Sequence, residues 1–269
     1  MSTDFSNLFT IEGKTALVTG GSRGIGEMIA AGFLSHGARV YISSRKSEVC
    51  DATAERLSEQ YKGECISIPA DLSGLPGIEA LAAELQDRET RLDILVNNAG
   101  VSWGAPLDEF PEAGWDKVMD TNVKGVFFLT QKLLPLLRAS GSAEDPARVI
   151  NIGSVDGLKC SAFDAFSYGA SKAALHHLNR FLAAHLTKEH IIFNSIAPGP
   201  FPTWMLSTGV GFGGETDGVD WEKVGAANPR GRVGTPEDIA GLAIFLCSRA
   251  GAFVVGETIA CDGGTVATS

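Results

Sequence analysis

Much that would sort this protein quickly is missing from it. The five cysteines, Cys50, Cys65, Cys160, Cys247 and Cys261, form no C-x-x-C pair, and no histidine stands at metal-ligand spacing from them. Neither a zinc site nor a redox dithiol is signalled, so no metal is expected and the thiols are read as free and buried. No apolar run is long enough to span a bilayer, and Met1 to Thr10 lacks a basic segment with an apolar core; both point to a soluble, cytoplasmic protein that does not enter a membrane. Positive charge is also scarce. Across 269 residues, 22 Lys and Arg face 32 Asp and Glu, a formal net charge of −10, which disfavours nonspecific binding to nucleic acid or to an anionic membrane surface. No repeat of solenoid length occurs, and no low-complexity block marks a linker.

What is present is glycine, 32 residues of it, in a chain that is 44% hydrophobic and 20% charged. That composition suits a globular protein with many tight turns and close backbone approaches. Short apolar runs at 14–19, 39–43, 64–69, 92–97, 148–153, 191–197 and 255–261 alternate with segments of helical periodicity. The helical segments comprise one carrying Ile25, Met28, Ile29 and Phe33, then 47–61, 74–88, a long region at about 111–139, 165–188 and 235–247. Such alternation predicts an α/β protein: a single-domain, doubly wound (Rossmann) parallel seven-stranded sheet with helices on both faces, spanning 1–269. Two segments stand apart. Residues 140–147 read as an exposed turn, and 203–226, with Gly209, Gly211, Gly213, Gly214 and Gly218 among bulky apolar side chains, reads as a substrate lid.

Chemistry enters with Tyr168-Gly169-Ala170-Ser171-Lys172. Residues four apart share a helix face, so the Lys172 ammonium is expected beside the Tyr168 hydroxyl, favouring its phenolate and making the phenol a usable general acid or base. Thr19-Gly20-Gly21-Ser22-Arg23-Gly24-Ile25-Gly26 falls where a strand turns into a helix. Its bare backbone can approach a pyrophosphate at the positive helix end. An enzyme using NAD offers an acid near the end of the second strand, whereas this strand ends Ser43-Ser44-Arg45-Lys46. Arg45 and Arg23 would instead clamp a 2′-phosphate, pointing to NADP(H).

Together, Thr19 to Gly26, Asn97-Asn98-Ala99-Gly100, Asn122, Ser154, Tyr168 with Lys172, and Pro198-Gly199 resemble the short-chain dehydrogenases/reductases over nearly the whole chain. Within that family, the runs Ser102 to Ala105, Ala147 to Val155 and Ser171 to His176 look most like NADPH-dependent 3-oxoacyl reductases associated with rhamnolipid synthesis. The resemblance implies that Tyr168 protonates a carbonyl oxygen, Ser154 holds that oxygen, Lys172 also binds the nicotinamide ribose, and Asn122 anchors a water that reprotonates Lys172. It further implies that Asp71, with Leu72, contacts the adenine, that Asn97, Asn98, Ala99 and Gly100 line the adenosine side, and that Pro198, Gly199 and Thr203 contact the nicotinamide carboxamide. Gly20, Ser22, Arg23, Gly24, Ile25, Gly26 and Arg45 complete the cofactor set. Blander readings stand beside these: Ser154 capping a loop, Asn122 satisfying backbone groups in a kinked helix, Asn97 pegging the sheet.

Trp103, Phe163, Phe166, Phe201, Trp204, Met205, Leu206, Phe212 and Trp221 form a candidate apolar rim suited to an acyl chain or ring. Docking of a carrier protein would need basic residues, and Lys124, Arg138 and Lys188 are diluted by Glu144, Asp145 and Glu189. His176, His177, His185 and His190 are read as packing or surface residues. The expected activity is reduction of a ketone or acyl thioester, foremost a 3-oxoacyl thioester. A polyol, sugar or small-ketone dehydrogenase is the alternative, and a noncatalytic NADP-sensing protein the remote one. A homotetramer is implied by resemblance.

Overall fold

The structure is a computed structural model and describes residues 5–160, 163–209 and 219–268. Seven parallel strands form one sheet: β1 (Thr15–Thr19), β2 (Arg39–Ser43), β3 (Cys65–Ser67), β4 (Ile94–Asn97), β5 (Ala147–Ile152), β6 (Ile191–Pro198) and β7 (Thr258–Cys261), in the order β3-β2-β1-β4-β5-β6-β7. The chain winds outward from β1 to β3 and then crosses back to lay β4 on the other side of β1. The crevice this reversal leaves above the strand ends is where doubly wound sheets take ligands.

Alternation along each strand divides the core in two. Ala16, Val18, Val40, Ile42, Ile94, Val96, Ile150 and Ile152 face one layer, built on α1 (Gly24–Ser35), α2 (Ser47–Tyr61) and α9 (Pro236–Cys247). Leu17, Tyr41, Leu95, Val149 and Phe193 face the other, built on α3 (Leu75–Arg88), α5 (Gly125–Ser140) and α6 (Phe166–Leu186). Because both faces are covered, the strands read in sequence as continuous apolar runs.

Several boundaries differ from expectation for identifiable reasons. β7 begins at Thr258 rather than 255 because Gly256, with φ +76°, turns the chain while its N–H bonds Phe193 O. β4 starts at Ile94 because the Leu92 N–H is taken by Leu136 O. The long helix expected at 111–139 is two helices, α4 (Glu112–Met119) and α5, joined by a π-helical turn, Asp120–Lys124. The thiols of Cys50, Cys65 and Cys247 are buried, but Cys160 is exposed. Beyond Pro198 lie α7 (Trp204–Gly209) and α8 (Trp221–Ala226). Residues 210–218 between them, including Gly211, Phe212, Gly213, Gly214 and Gly218, lie outside the described residues.

Among the described residues no helix is long and apolar enough to cross a membrane, and no cluster of three or more His, Cys, Asp or Glu could hold a metal ion.

Candidate active site

The site is assembled from the chain just beyond the ends of β1 to β6. At the end of β1 the chain turns through Gly20 (φ +65°) and Gly24 (φ +58°) into α1. Asn98, just past β4, donates its amide to Thr19 O at 2.8 Å and Gly20 O at 3.2 Å, while Thr19 Oγ1 accepts from Asn98 N and Ala99 N. This lacing leaves no space for side chains: a methyl on Gly20 would stand 2.8 Å from the Asn98 amide, and one on Gly26 would overlap it. Asn97 does act as a peg, donating to Asn151 Oδ1 at 2.9 Å and Thr130 Oγ1 at 3.2 Å.

These residues fit a phosphorylated dinucleotide. Ser22 is buried, Ile25 is partly so, and Arg23 and Arg45 reach solvent. Next to Arg45, the buried Ser44 and Ser43 hydroxyls lack protein partners. Asp71 is exposed and accepts from Ser73 N at 3.0 Å; Leu72 beside it is buried. Pro198 ends β6. Gly199 lies so close to Asp262 that a Cβ would stand 2.8 Å from its Cα, and Thr203 leans its methyl to within 3.3 Å of where a Gly24 Cβ would be. The segment entering α7 therefore rests on the glycine loop, with the Arg23 guanidinium over the Trp204 ring.

The reacting corner lies between β5 and α6. Ser154 is buried, its hydroxyl accepting from Asp156 N at 3.1 Å and bonded to the Tyr168 hydroxyl. It both caps the turn Val155–Gly157 and touches the phenol. One turn along α6, the Lys172 ammonium donates to Ile152 O at 2.7 Å and lies 5.5 Å from the Tyr168 ring centroid.

The expected depression of the Tyr168 pKa is absent. Burial pushes the phenol up to about 12, the Ser154 hydrogen bond opposing this and the Asp156 charge adding to it. Burial also takes Lys172 down to about 8. A desolvated surrounding disfavours phenolate and ammonium alike, and Lys172 is turned to a backbone carbonyl instead of standing against the phenol oxygen. The phenol is thus held in its protonated, donor form across the neutral range.

Asn122 sits inside the π turn, fully committed: Oδ1 accepts from Val101 N at 2.9 Å, and Nδ2 donates to Val101 O at 2.9 Å and Ser171 Oγ at 3.0 Å. A bare Gly100 separates it from Lys172, since a Cβ there would lie 3.3 Å from Asn122 Oδ1 and 3.6 Å from Lys172 Nζ.

Of the aromatic rim, Phe163, Phe166 and Trp204 are exposed and Trp103 and Trp221 partly so. Phe201 does not belong to it. At 2% exposure it is core, its ring packed on the bare backbone of Gly234. The sequence reading also missed Phe110, which meets Phe166 and Trp115 edge to face at 5.9 and 6.5 Å; His176, read as a packing or surface residue, is buried, on the Tyr168 and Lys172 face of α6. Its spacing of four from Lys172 was the available signal.

Comparison with known proteins agrees with this geometry. A family model described as enoyl-(acyl carrier protein) reductase matches residues 20–266. The rhamnolipids biosynthesis 3-oxoacyl-(acyl-carrier-protein) reductase of Pseudomonas aeruginosa is 54% identical over 256 residues, with 95% of this chain and 97% of that protein covered. Gluconate 5-dehydrogenase of Gluconobacter oxydans is 33% identical over 258 residues, with 96% of each covered. The solved Pseudomonas aeruginosa RhlG/NADP active-site complex superposes with a TM-score of 0.90 at 52% identity, covering 97% of this chain and all of that one.

Proposed function

This chain belongs to the short-chain dehydrogenase/reductase family, and from that premise we propose that it reduces a 3-oxoacyl thioester to the 3-hydroxyacyl product, with NADPH as reductant and Tyr168 as proton donor. The observation that carries the reading is the Ser154, Tyr168 and Lys172 corner, with its phenol held protonated, in a chain 54% identical to a 3-oxoacyl reductase. NADP(H) is the cofactor, held by the glycine loop from Gly20 to Gly26, Arg45, Asp71 and Leu72, Asn98 to Gly100, and Pro198, Gly199 and Thr203. Bound there, its nicotinamide supplies the hydride.

The chain's own residues handle the oxygen. As the carbonyl carbon gains hydride, its oxygen develops charge between the Ser154 and Tyr168 hydroxyls, where aligned donors stabilise it. Tyr168 transfers its proton to that oxygen. Lys172, one helical turn along α6, returns a proton to the phenolate and is itself reprotonated from solvent along the passage that leads from Asn122 past the bare Gly100. Since the Asn122 amide is already engaged by Val101 and Ser171, its contribution is to shape this passage.

The exposed aromatic side chains Phe163, Phe166 and Trp204 are the candidates to meet an acyl tail. Two of the three cations that could dock an acidic carrier are paired, Lys124 with Asp120 at 3.1 Å and Arg138 with Glu189 at 2.6 Å, so the thioester head, not a carrier surface, is the recognised group. The reading includes a cytoplasmic homotetramer. In its support, Phe127 of α5 and Phe181 of α6 are exposed, and Phe127 borders a hollow of about 420 Å³ lined also by Met119, Asp120, Val123, Lys124 and Leu178; sedimentation equilibrium tests the assembly.

The deciding experiment follows NADPH oxidation with 3-oxoacyl thioesters of increasing chain length beside keto-sugars and small cyclic ketones. Preference for long thioesters is the expected result. Preference for a keto-sugar, with thioesters poor, would leave the catalytic roles standing and discard the substrate.

A further inference from the structure

His176 is buried to 5% exposure, yet neither ring nitrogen completes a hydrogen bond of normal geometry. A buried polar group without partners costs stability that an apolar side chain of equal size would not, so packing alone explains the site poorly. Its surroundings explain it better. The residue lies one helical turn beyond Lys172 and two beyond Tyr168, on the face of α6 turned to the end of β5. A methyl on Gly153 would overlap the imidazole Nε2, and one on Gly157 would stand 2.8 Å from its Cε1. The ring is therefore wedged between α6 and the two bare residues that bracket Ser154.

The peptide it presses on is otherwise held at two points. Gly153 N–H donates to Ile196 O at 2.7 Å, and Ile152 O accepts from the Lys172 ammonium at 2.7 Å. Those bonds fix the peptide within the plane of the sheet, and the imidazole supplies a stop in the third direction, directly before Ser154.

We propose that His176 is a positioning residue for the reduction: the flat edge of its ring, resting on Gly153 and Gly157, sets the height of the Ser154 hydroxyl against the Tyr168 phenol. The inference rests on the roles given above to Ser154 and Tyr168. Burial, with the Lys172 and Arg180 charges adding to it and the Gly157 backbone opposing, holds the imidazole neutral down to about pH 4. The wedge thus adds no second cation beside Lys172. A flat ring fits a gap between a helix and a glycine backbone that a branched aliphatic side chain would overfill.

A double-mutant cycle tests this, because residues acting through one another are non-additive. His176→Ala is expected to lower kcat about tenfold to a hundredfold, the loss that an ångström of misplacement brings, with KM and the calorimetric Kd for NADP⁺ unchanged. In the Ser154→Ala background the same change should cost nothing further. Gly153→Ala, whose methyl takes the ring's place, should lose activity and recover part of it when combined with His176→Ala. An equal loss from His176→Ala in both Ser154 backgrounds, no loss at all, or no recovery in the Gly153 pair would overturn the wedge. If Ser154→Ala or Tyr168→Phe alone retains full activity, the active-site reading itself fails, a result distinct from the others.

Discussion

The Arg23 guanidinium lies over the Trp204 indole, 4.4 Å from the ring centroid. This joins the residue preceding α1 to the first residue of α7, so the glycine loop and the start of α7 touch through a cation–π contact. A guanidinium stacked by its face keeps its edge donors free for phosphate oxygens. Trp204 therefore narrows the rotamers of Arg23, the proposed cofactor clamp, without consuming its hydrogen bonds.

Replacing Trp204 by Ala should weaken NADP⁺ binding by about twofold to fivefold, the equivalent of an exposed cation–π pair of about 0.5–1 kcal/mol, with Trp204→Phe in between. Isothermal titration of the ligand-free enzyme measures it. An unchanged Kd would mean that Arg23 is held equally well without the indole.

Arg45 is exposed at the end of β2, with no carboxylate paired to it among the described residues. Charge-assisted hydrogen bonds contribute about 1.5–3 kcal/mol, so Arg45→Asp should lower the kcat/KM preference for NADPH over NADH by about tenfold to a hundredfold. Should the ratio stay constant, the 2′-phosphate is held elsewhere, with Arg23 the next residue to change.

The sequence was most legible where physics is local. Buried parallel strands must be apolar throughout, so their number and places along the chain could be read, as could the glycine loop and the four-residue spacing of Tyr168 and Lys172. What escaped depends on distant partners. The π turn at Asp120–Lys124 is stabilised by Asn122 bonding both backbone groups of Val101, 21 positions away, and nothing in the local periodicity encodes it. Phe201 sits in a Pro-rich stretch that looks like pocket rim, but Gly234 offers it a bare backbone to pack on. The rise of the Tyr168 pKa reflects a balance of burial against a lysine charge directed elsewhere, which spacing alone does not convey.

Tyr168→Phe removes the proton donor and little packing. Turnover should fall by about 10²–10⁴-fold, the usual contribution of a positioned general acid, while the NADP⁺ Kd stays within twofold, roughly the scatter of neutral substitutions. Stopped-flow reduction with a saturating 3-oxoacyl thioester reads the first quantity and titration calorimetry the second. Because burial holds the phenol near 12 in the folded protein, the donor form persists well above neutral pH. A loss of reduction rate between pH 6 and 8 that disappears in Tyr168→Phe would contradict that.

Lys172 links the site to stability in a direction that can be worked out. Its pKa falls from 10.5 to about 8 on burial, so between those values the unfolded chain binds a proton that the folded chain does not. Stability contributed at this position therefore rises with pH through the window from about 8 to 10.5 and is flat below it. The shift corresponds to about 3 kcal/mol, felt as a full penalty at neutral pH and reduced in the balance by the bond to Ile152 O. Lys172→Met keeps the length of the side chain and removes the charge. Compared by urea unfolding without cofactor, the wild type should gain on the variant by about 3 kcal/mol between pH 8 and 10.5; Tyr168, which also titrates above 10, is common to both and cancels. A stability difference independent of pH would show that the ammonium is not desolvated, and the proton path from Lys172 would then begin in water, not in a closed site.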